Sequence, residues 1–398
     1  LKPNESLNQY DVVIVGGGIH GAGVAQAAAA QGYSVLVLEQ SALAAGTSSR
    51  SSKLIHGGLR YLESAQLGLV RECLHERALL IKNAPDLVKL KPFYIPIYSE
   101  TSRPAWQIRA GLALYSTLGG LSGDTRFKIV PKHKWDQLDE LNCEGLQKVF
   151  RYYDAQTDDK LLTEAVMRSA QSLGAELEMP AQLVEAERDN HSYIVRYQKN
   201  EQQIECRAGL LINAAGPWVN DVLEKVTQKV SQLAVDLIQG SHIILEGTVT
   251  QGIYYIEAPK DKRAVFVMPW KDKIMVGTTE SLYQGNPAKV HPLAKEKSYL
   301  LQTLGFYFPK YRHCTHKDIV DSFAGLRVLP RTTDSAFSRP RDTIFHTDQP
   351  DNPRLVTIYG GKLTAYRATA EKLINEFFHV LPDRQAVADT RNLVLTPK

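Results

Sequence analysis

The sequence predicts an α/β fold: a Rossmann-like nucleotide-binding domain joined to a second α+β domain containing an antiparallel sheet. Three observations predict it. Residues 10–39 pass from an apolar run through three spaced glycines and an alanine-rich segment to a second apolar run ending in an acid. Two further apolar runs, Gly209–Ile212 and Leu355–Tyr359, each end in small residues, as strands do where they approach a ligand. Between those runs, four short strand patterns follow one another from His242 to Gly277.

Taken in order, Asp11–Val15 reads as a buried parallel strand and Gly18–Gln31 as the following helix. Ser34–Leu38 is the second strand, closing at Glu39. Gly16, Gly18 and Gly21 form a G-x-G-x-x-G turn, which lets the backbone approach a pyrophosphate at the positive end of a helix. An acid about 20 positions further on binds an adenosine ribose in such units. This arrangement predicts a bound dinucleotide. Ser41–Leu62 is rich in Gly and Ser but carries Arg50, Lys53, His56 and Arg60, so it reads as an ordered loop over phosphates or a cofactor rather than a linker.

Leu67–Ala84 has helical periodicity, and Pro92, Pro96 and Pro104 are expected to break the region before a helix at Ala105–Thr117. That helix places Trp106 and Leu112 beside Arg109, for packing or for contact with a lipid interface. Asp158–Leu173 is a helix with acids at its positive end. Short strands are expected at Leu183–Glu187, Tyr193–Tyr197 and Gln203–Arg207, before Asn213–Trp218 closes the apolar 209–212 run. His242–Glu246, Gly252–Ile256, Ala264–Pro269 and Ile274–Gly277 form the second, largely antiparallel sheet. Leu355–Tyr359, Gly360-Gly361 and a helix from about Leu363 to Phe378 return to the first domain. The nucleotide domain is therefore expected from residues 1–85, 151–228 and 319–398, and the substrate domain from 86–150 and 229–318.

The 398 residues carry a formal charge of +4, with 43% hydrophobic and 23% charged residues, a composition ordinary for a soluble globular protein. No basic stripe interleaved with aromatics suggests nucleic acid. Cys73, Cys143, Cys206 and Cys314 lie far apart without C-x-x-C spacing, which argues against a metal centre and against a disulfide framework. The polar start containing Pro3 lacks the apolar section of a signal peptide, and no run of 18 uncharged apolar residues occurs. The expectation is a cytoplasmic protein, with peripheral association on the cytoplasmic face of a membrane left open.

Eight motifs occur in one order: GGGIHGAG at Gly16–Gly23, TSSRSSKLIHGGLRYL at Thr47–Leu62, NAAGPW at Asn213–Trp218, QGSHII at Gln239–Ile244, FVMPW at Phe266–Trp270, VGTTE at Val276–Glu280, FAGLR at Phe323–Arg327 and YGGKLTAYR at Tyr359–Arg367. On these the whole chain resembles the FAD-dependent glycerol-3-phosphate dehydrogenase family, within the group that includes D-amino-acid and glycine oxidases. Quinone-linked members continue into a helical C-terminal domain beyond the length of this chain.

The resemblance implies FAD as cofactor and oxidation of sn-glycerol 3-phosphate at carbon 2 to dihydroxyacetone phosphate, by hydride transfer to flavin N5. Electrons then pass to a membrane quinone, or to dioxygen in some relatives. It implies cofactor contacts from Gly16, Gly18, Gly21, Glu39, Thr47, Ser48, Ser49, Ser51, Ser52, Lys53, His56, Gly57, Gly58, Ala215, Gly216, Trp218, Gly361, Lys362, Leu363 and Thr364. The amides opening the Leu363 helix are expected to face the pyrimidine edge of the flavin. Around the substrate it places Arg60, Tyr61, His242, Arg327, Arg339 and Lys362, with Lys362 on either substrate or flavin. Arg341 is a substitute for Arg339, because Pro340 separates the two and departs from the simpler family pattern; His346 keeps the downstream spacing.

A phosphomonoester needs convergent cationic donors, and the resemblance implies Arg327 among them and among the catalytic residues. His242 and His56 compete as the proton acceptor, with another group or water as a third option. Thr278 and Thr279 shape the pocket or the sheet rather than react, and His20 caps or covers its helix. An FAD enzyme for another small hydroxy or amino acid is the alternative function, and a homo-oligomer is compatible with all of these readings.

Overall fold

The computed structural model describes residues 7–120, 124–331 and 343–397. Numbered in chain order, one sheet holds β1 (Asn8–Val15), β2 (Val35–Leu38), β7 (Glu176–Glu178), β8 (Ala181–Asp189), β9 (Ser192–Lys199), β10 (Gln202–Asn213), β17 (Ile344–Thr347) and β18 (Leu355–Tyr359). The other holds β3 (Leu54–Ile55), β4 (Val88–Tyr98), β5 (Lys128–Ile129), β6 (Leu146–Thr157), β11 (Val235–Leu245), β12 (Ile253–Glu257), β13 (Ala264–Trp270), β14 (Lys273–Gly277), β15 (Ser281–Tyr283) and β16 (Ile319–Pro330). The helices are α1 (Ile19–Ala30), α2 (Leu67–Asn83), α3 (Ala105–Leu118), α4 (Asp159–Ser172), α5 (Val219–Leu223), α6 (Ala294–Tyr307) and α7 (Tyr366–Phe377).

The first sheet runs β17-β18-β10-β1-β2-β7, and β18, β10, β1, β2 and β7 are parallel. The stretches 12–15, 35–38 and 210–212 of its central strands are continuously apolar because both faces are covered there. Val12, Ile14, Val35 and Val37 face α1, α4 and α7, while Val13, Val15, Leu36 and Leu38 face the β8–β9 side. Alanine lets α1 be buried almost all round between α4 and α7. Asp158 caps α4, its carboxylate accepting from Leu161 N–H at 3.2 Å. The expected strand at 203–207 and the apolar run after it are one strand, β10, whose first half pairs antiparallel with β9 and whose second half pairs parallel with β1.

The second sheet is also covered on both faces. Phe93, Ile95, Phe150, Met268 and Met275 meet Val70 and Leu74 of α2 and Ile108, Leu112 and Tyr115 of α3. Val149, Ile243, Val265, Val267 and Val276 meet Leu300, Leu301 and Leu304 of α6. Trp106 points the other way and is 72% exposed. No helix among the described residues is long and apolar enough to cross a membrane.

Three sequence expectations are corrected. Pro92 and Pro96 do not break the chain; they lie within the eleven-residue strand β4. They are four apart, so their missing N–H groups face one side, the side on which the Pro92 carbonyl meets Gly252. There β12 pairs with β4 over Phe93 and Tyr94 alone, so few ladder bonds are forfeited. Residues 319–330, assigned to the third piece of the nucleotide domain, pair along β11 in the second sheet instead. Finally, the last helix starts at Tyr366 rather than Leu363, because Lys362–Ala365 form a turn first.

Candidate active site

A cavity of about 1260 Å³ opens at the carboxyl ends of β1, β10 and β18 and continues to the face of β11 and β16. At the first of these ends Gly16 adopts φ +113°, and a Cβ there would lie 2.6 Å from the Ala214 carbonyl. Gly21 sits against the Gly16 carbonyl, so the turn and its helix are in backbone contact. Ser48 supplies the missing helix cap, its hydroxyl accepting from Ile19 N–H at 2.9 Å. Glu39, at the end of β2, accepts from Gly17 N–H at 2.7 Å and from Ser41 N–H at 2.8 Å while still lining the cavity. A glycine cradle, a helix N-terminus and a ribose-directed acid on one wall fit the adenosine diphosphate half of FAD.

The loop between β2 and β3 crosses to the second sheet, where the Thr47 hydroxyl donates to the Leu326 carbonyl at 2.7 Å. His56 N–H donates to the Thr364 hydroxyl at 3.1 Å, which joins the HGGLRY segment to the GGKLT turn. Gly57 N–H donates to the Tyr115 hydroxyl at 2.8 Å, and that hydroxyl donates to Asp154, itself paired with buried Arg77 at 2.7 Å. Gly58 (φ +77°) is covered by the Tyr61 ring, and the Lys362 ammonium lies 3.9 Å from the centroid of that ring.

At the far end, His242 of β11 is paired with Phe323 of β16 and stacks on it at 4.8 Å. Its Nε2 lies 3.0 Å from the Ser52 hydroxyl. Its Nδ1 is sealed, without a hydrogen-bond partner among the described residues. The ring is 2% exposed, and burial, with Lys53 and Arg327 nearby, pushes its pKa down to about 3. Four residues further along β16, Arg327 donates to Glu280 at 3.1 Å. Glu280 is also paired with Arg263, so one buried carboxylate joins two guanidiniums. Tyr255 lines the same region, and burial raises its hydroxyl pKa against the opposing charges of Arg103 and Arg60.

The structure thus brings to one cavity Gly16, Gly18, Glu39, Thr47, Ser48, Ser51, Ser52, His56, Gly58, Arg60, Tyr61, Ala215, Gly216, Trp218, His242, Arg327, Gly361, Lys362, Leu363 and Thr364. Gly21, Ser49, Lys53 and Gly57 stand behind its wall. For Lys53 the reason is a buried partner: its ammonium pairs with Asp159 at 2.6 Å and donates to the Ser49 carbonyl. Arg339 and Arg341 lie outside the described residues. His346 is on β17, against Ser231 and away from the cavity. Sequence reasoning missed Arg263, which belongs to none of the motifs, and gave no role to Glu280, the last residue of VGTTE.

A family model for FAD dependent oxidoreductases matches residues 11–367. A glycerol-3-phosphate dehydrogenase of Pseudomonas aeruginosa is 39% identical over 373 residues, covering 92% of this chain and 71% of the relative. A D-erythritol 1-phosphate dehydrogenase of Brucella abortus is 36% identical over 382 residues, covering 94% and 74%. The structure of a Bacillus halodurans glycerol-3-phosphate dehydrogenase complexed with FAD superposes with a TM-score of 0.77 at 25% identity, over 98% of this chain and 68% of that one.

Proposed function

The chain belongs to the FAD-dependent glycerol-3-phosphate dehydrogenase family, within the D-amino-acid oxidase-like flavoproteins, and from that premise we propose that it oxidises sn-glycerol 3-phosphate to dihydroxyacetone phosphate. It is an FAD-binding oxidoreductase. FAD supplies the hydride-accepting chemistry, at N5 of its flavin.

The protein's own residues divide the remaining work. Gly16, Gly18 and Glu39 hold the adenosine end, while the Thr47–Gly58 loop and the Gly360–Thr364 turn flank the flavin. Arg60, Arg327 and Lys362 hold the phosphate by charge-assisted hydrogen bonds, and Tyr61 contacts a substrate hydroxyl. Because Nδ1 of His242 is sealed, Nε2 beside Ser52 takes the proton of the carbon-2 hydroxyl. Burial keeps the imidazole neutral, with a lone pair to accept the proton, and by the same effect disfavours the imidazolium that forms. His56 is the second candidate for this step.

The observation that carries the proposal is one cavity holding both the glycine turn with Glu39 and the cluster of Arg60, Arg327, Lys362 and His242. Anaerobic mixing of the FAD-loaded protein with glycerol 3-phosphate tests it: the visible flavin spectrum should bleach as dihydroxyacetone phosphate forms. The Brucella relative favours a second reading, a four-carbon polyol phosphate at the same site, which the same assay with D-erythritol 1-phosphate decides. Bleaching with an amino acid or a hydroxy acid instead would replace both.

A membrane quinone is the proposed electron acceptor, reached by peripheral attachment at the cytoplasmic face. Exposed Trp106 on α3 supports a lipid contact. Flotation with quinone-containing vesicles should fall in Trp106→Ala; unchanged flotation would exclude that helix.

A further inference from the structure

Lys53 resembles a phosphate ligand in sequence, yet its ammonium points into the protein. It pairs with Asp159 at 2.6 Å, and the two side chains are 6% and 0% exposed. The same carboxylate accepts from Ser51 N–H at 2.9 Å and from the Ser51 hydroxyl at 2.6 Å. One aspartate at the start of α4 therefore pins both ends of the three-residue turn Ser51–Lys53. The turn needs pinning, because Lys53 adopts φ +61°, a left-handed conformation that costs a non-glycine residue of order 1 kcal/mol.

Ser52 sits between the pinned ends, and its hydroxyl meets His242 Nε2 at 3.0 Å. The Lys53 ammonium lies 4.8 Å from the centroid of Phe323, the ring on which His242 stacks with 15° between the planes. Hydrogen bond and stack together fix both the direction and the plane of the imidazole. We propose that the buried Lys53–Asp159 pair is a positioning device for His242, acting through Ser52 and Phe323, rather than part of the cofactor site.

The proposal rests on the reading of His242 as proton acceptor. A cation placed there also disfavours protonation of the ring, so what the pair gives the base is its placement and not its basicity. The charged groups facing His242 are Lys53 from the turn and Arg327 from β16, while β14 presents uncharged Gly277. Asp159 stands behind Lys53, and Glu280 is bound to Arg327. Burial raises the Asp159 carboxyl, opposed by Lys53 and the Ser51 donors, so removing the lysine alone would strand a buried acid.

The test is therefore the paired variant Lys53→Met/Asp159→Asn, loaded with FAD. Its His242 ring signal is followed by NMR of labelled histidine over the pH range in which the protein stays folded, the midpoint being fitted from the onset of protonation and the signal identified by its loss in His242→Gln. The midpoint should rise by roughly one pH unit once the cation is gone. Flavin reduction at saturating glycerol 3-phosphate should fall about tenfold, with its half-saturating concentration within about twofold and the flavin content unchanged. Ser52→Ala keeps the ion pair and should slow reduction without raising the midpoint.

An unshifted midpoint together with wild-type reduction in the paired variant would overturn the proposal. So would flavin loss with an unshifted midpoint, which would return Lys53 to the cofactor site. If the paired variant does not fold, wild-type reduction in both Ser52→Ala and Phe323→Leu overturns it. Wild-type reduction in His242→Gln would instead remove His242 as the base, while the midpoint shift still reports the coupling to Lys53.

Discussion

His20, in the first glycine turn, lies directly against Gly361, in the last: a Cβ added to Gly361 would overlap the His20 ring. Motifs from the two ends of the chain thus share one wall of the cavity, and the contact works only without a side chain at 361. Gly361 also adopts φ +101°, which an L side chain rarely takes. Gly361→Ala should lose at least about 1 kcal/mol of stability and most of its bound FAD, read by thermal unfolding and flavin content. Gly68→Ala, where a Cβ meets nothing within 4 Å on helix α2, should be neutral or stabilising.

Glu39 is both a staple and a ligand. One carboxylate oxygen accepts from Gly17 N–H and the other from Ser41, so the acid is locked before the ribose arrives. Glu39→Gln removes the charge at nearly constant shape. Since hydrogen bonds to a charged group contribute about 1.5–3 kcal/mol, FAD affinity should fall about 10- to 100-fold in a fluorescence titration. Unchanged affinity would leave Glu39 as a staple alone.

How far the chain could be read beforehand differs from element to element. Asp11–Val15, the 16–21 turn and the strand ending at Glu39 are local: consecutive residues carry the whole pattern, and the folded strands β1 and β2 follow it. Strand β4 was hidden, because its prolines signal a break unless the neighbour on their side is known. The placement of β16 was hidden for a related reason: partner choice between two sheets is tertiary, and FAGLR reads the same in either. At the site, residue types were legible but directions were not. A lysine among serines looks like an anion ligand until a buried aspartate from another helix is found beside it.

Arg327 shares Glu280 with Arg263, which shapes what its loss should do. In Arg327→Ala the buried carboxylate keeps Arg263, so no orphan charge unfolds the site. The half-saturating concentration of glycerol 3-phosphate should rise about 10- to 100-fold, the weight of one charge-assisted hydrogen-bond set, with FAD content unchanged. Parallel loss of flavin would mean that Arg327 supports the cofactor instead.

Two buried histidines work against the fold in acid. Burial lowers His242 to about 3, with Lys53 and Arg327 adding to it, and lowers His20 to about 4. Both values lie below the ordinary 6.5, so between about pH 6.5 and 3 the unfolded chain binds protons that the folded chain refuses. Their contribution to stability is therefore full above about pH 6.5 and is lost as the pH falls through this window. His242→Gln should flatten part of that loss in urea unfolding followed at pH 7, 5.5 and 4.5.

The same substitution addresses chemistry. Glutamine keeps a polar group near Ser52 but accepts no proton, so His242→Gln separates positioning from basicity. Removal of a general base typically costs 10²- to 10⁴-fold, and anaerobic flavin reduction should fall by about that much while FAD and substrate still bind. His56→Gln is the matched comparison: its backbone N–H bonds to the Thr364 hydroxyl and survives the change, so only the ring's contribution is lost. If His242 is the acceptor, His56→Gln should retain most of the reductive rate. The reverse ranking would move the proton to the flavin-side loop and leave His242 as a wall of the substrate pocket.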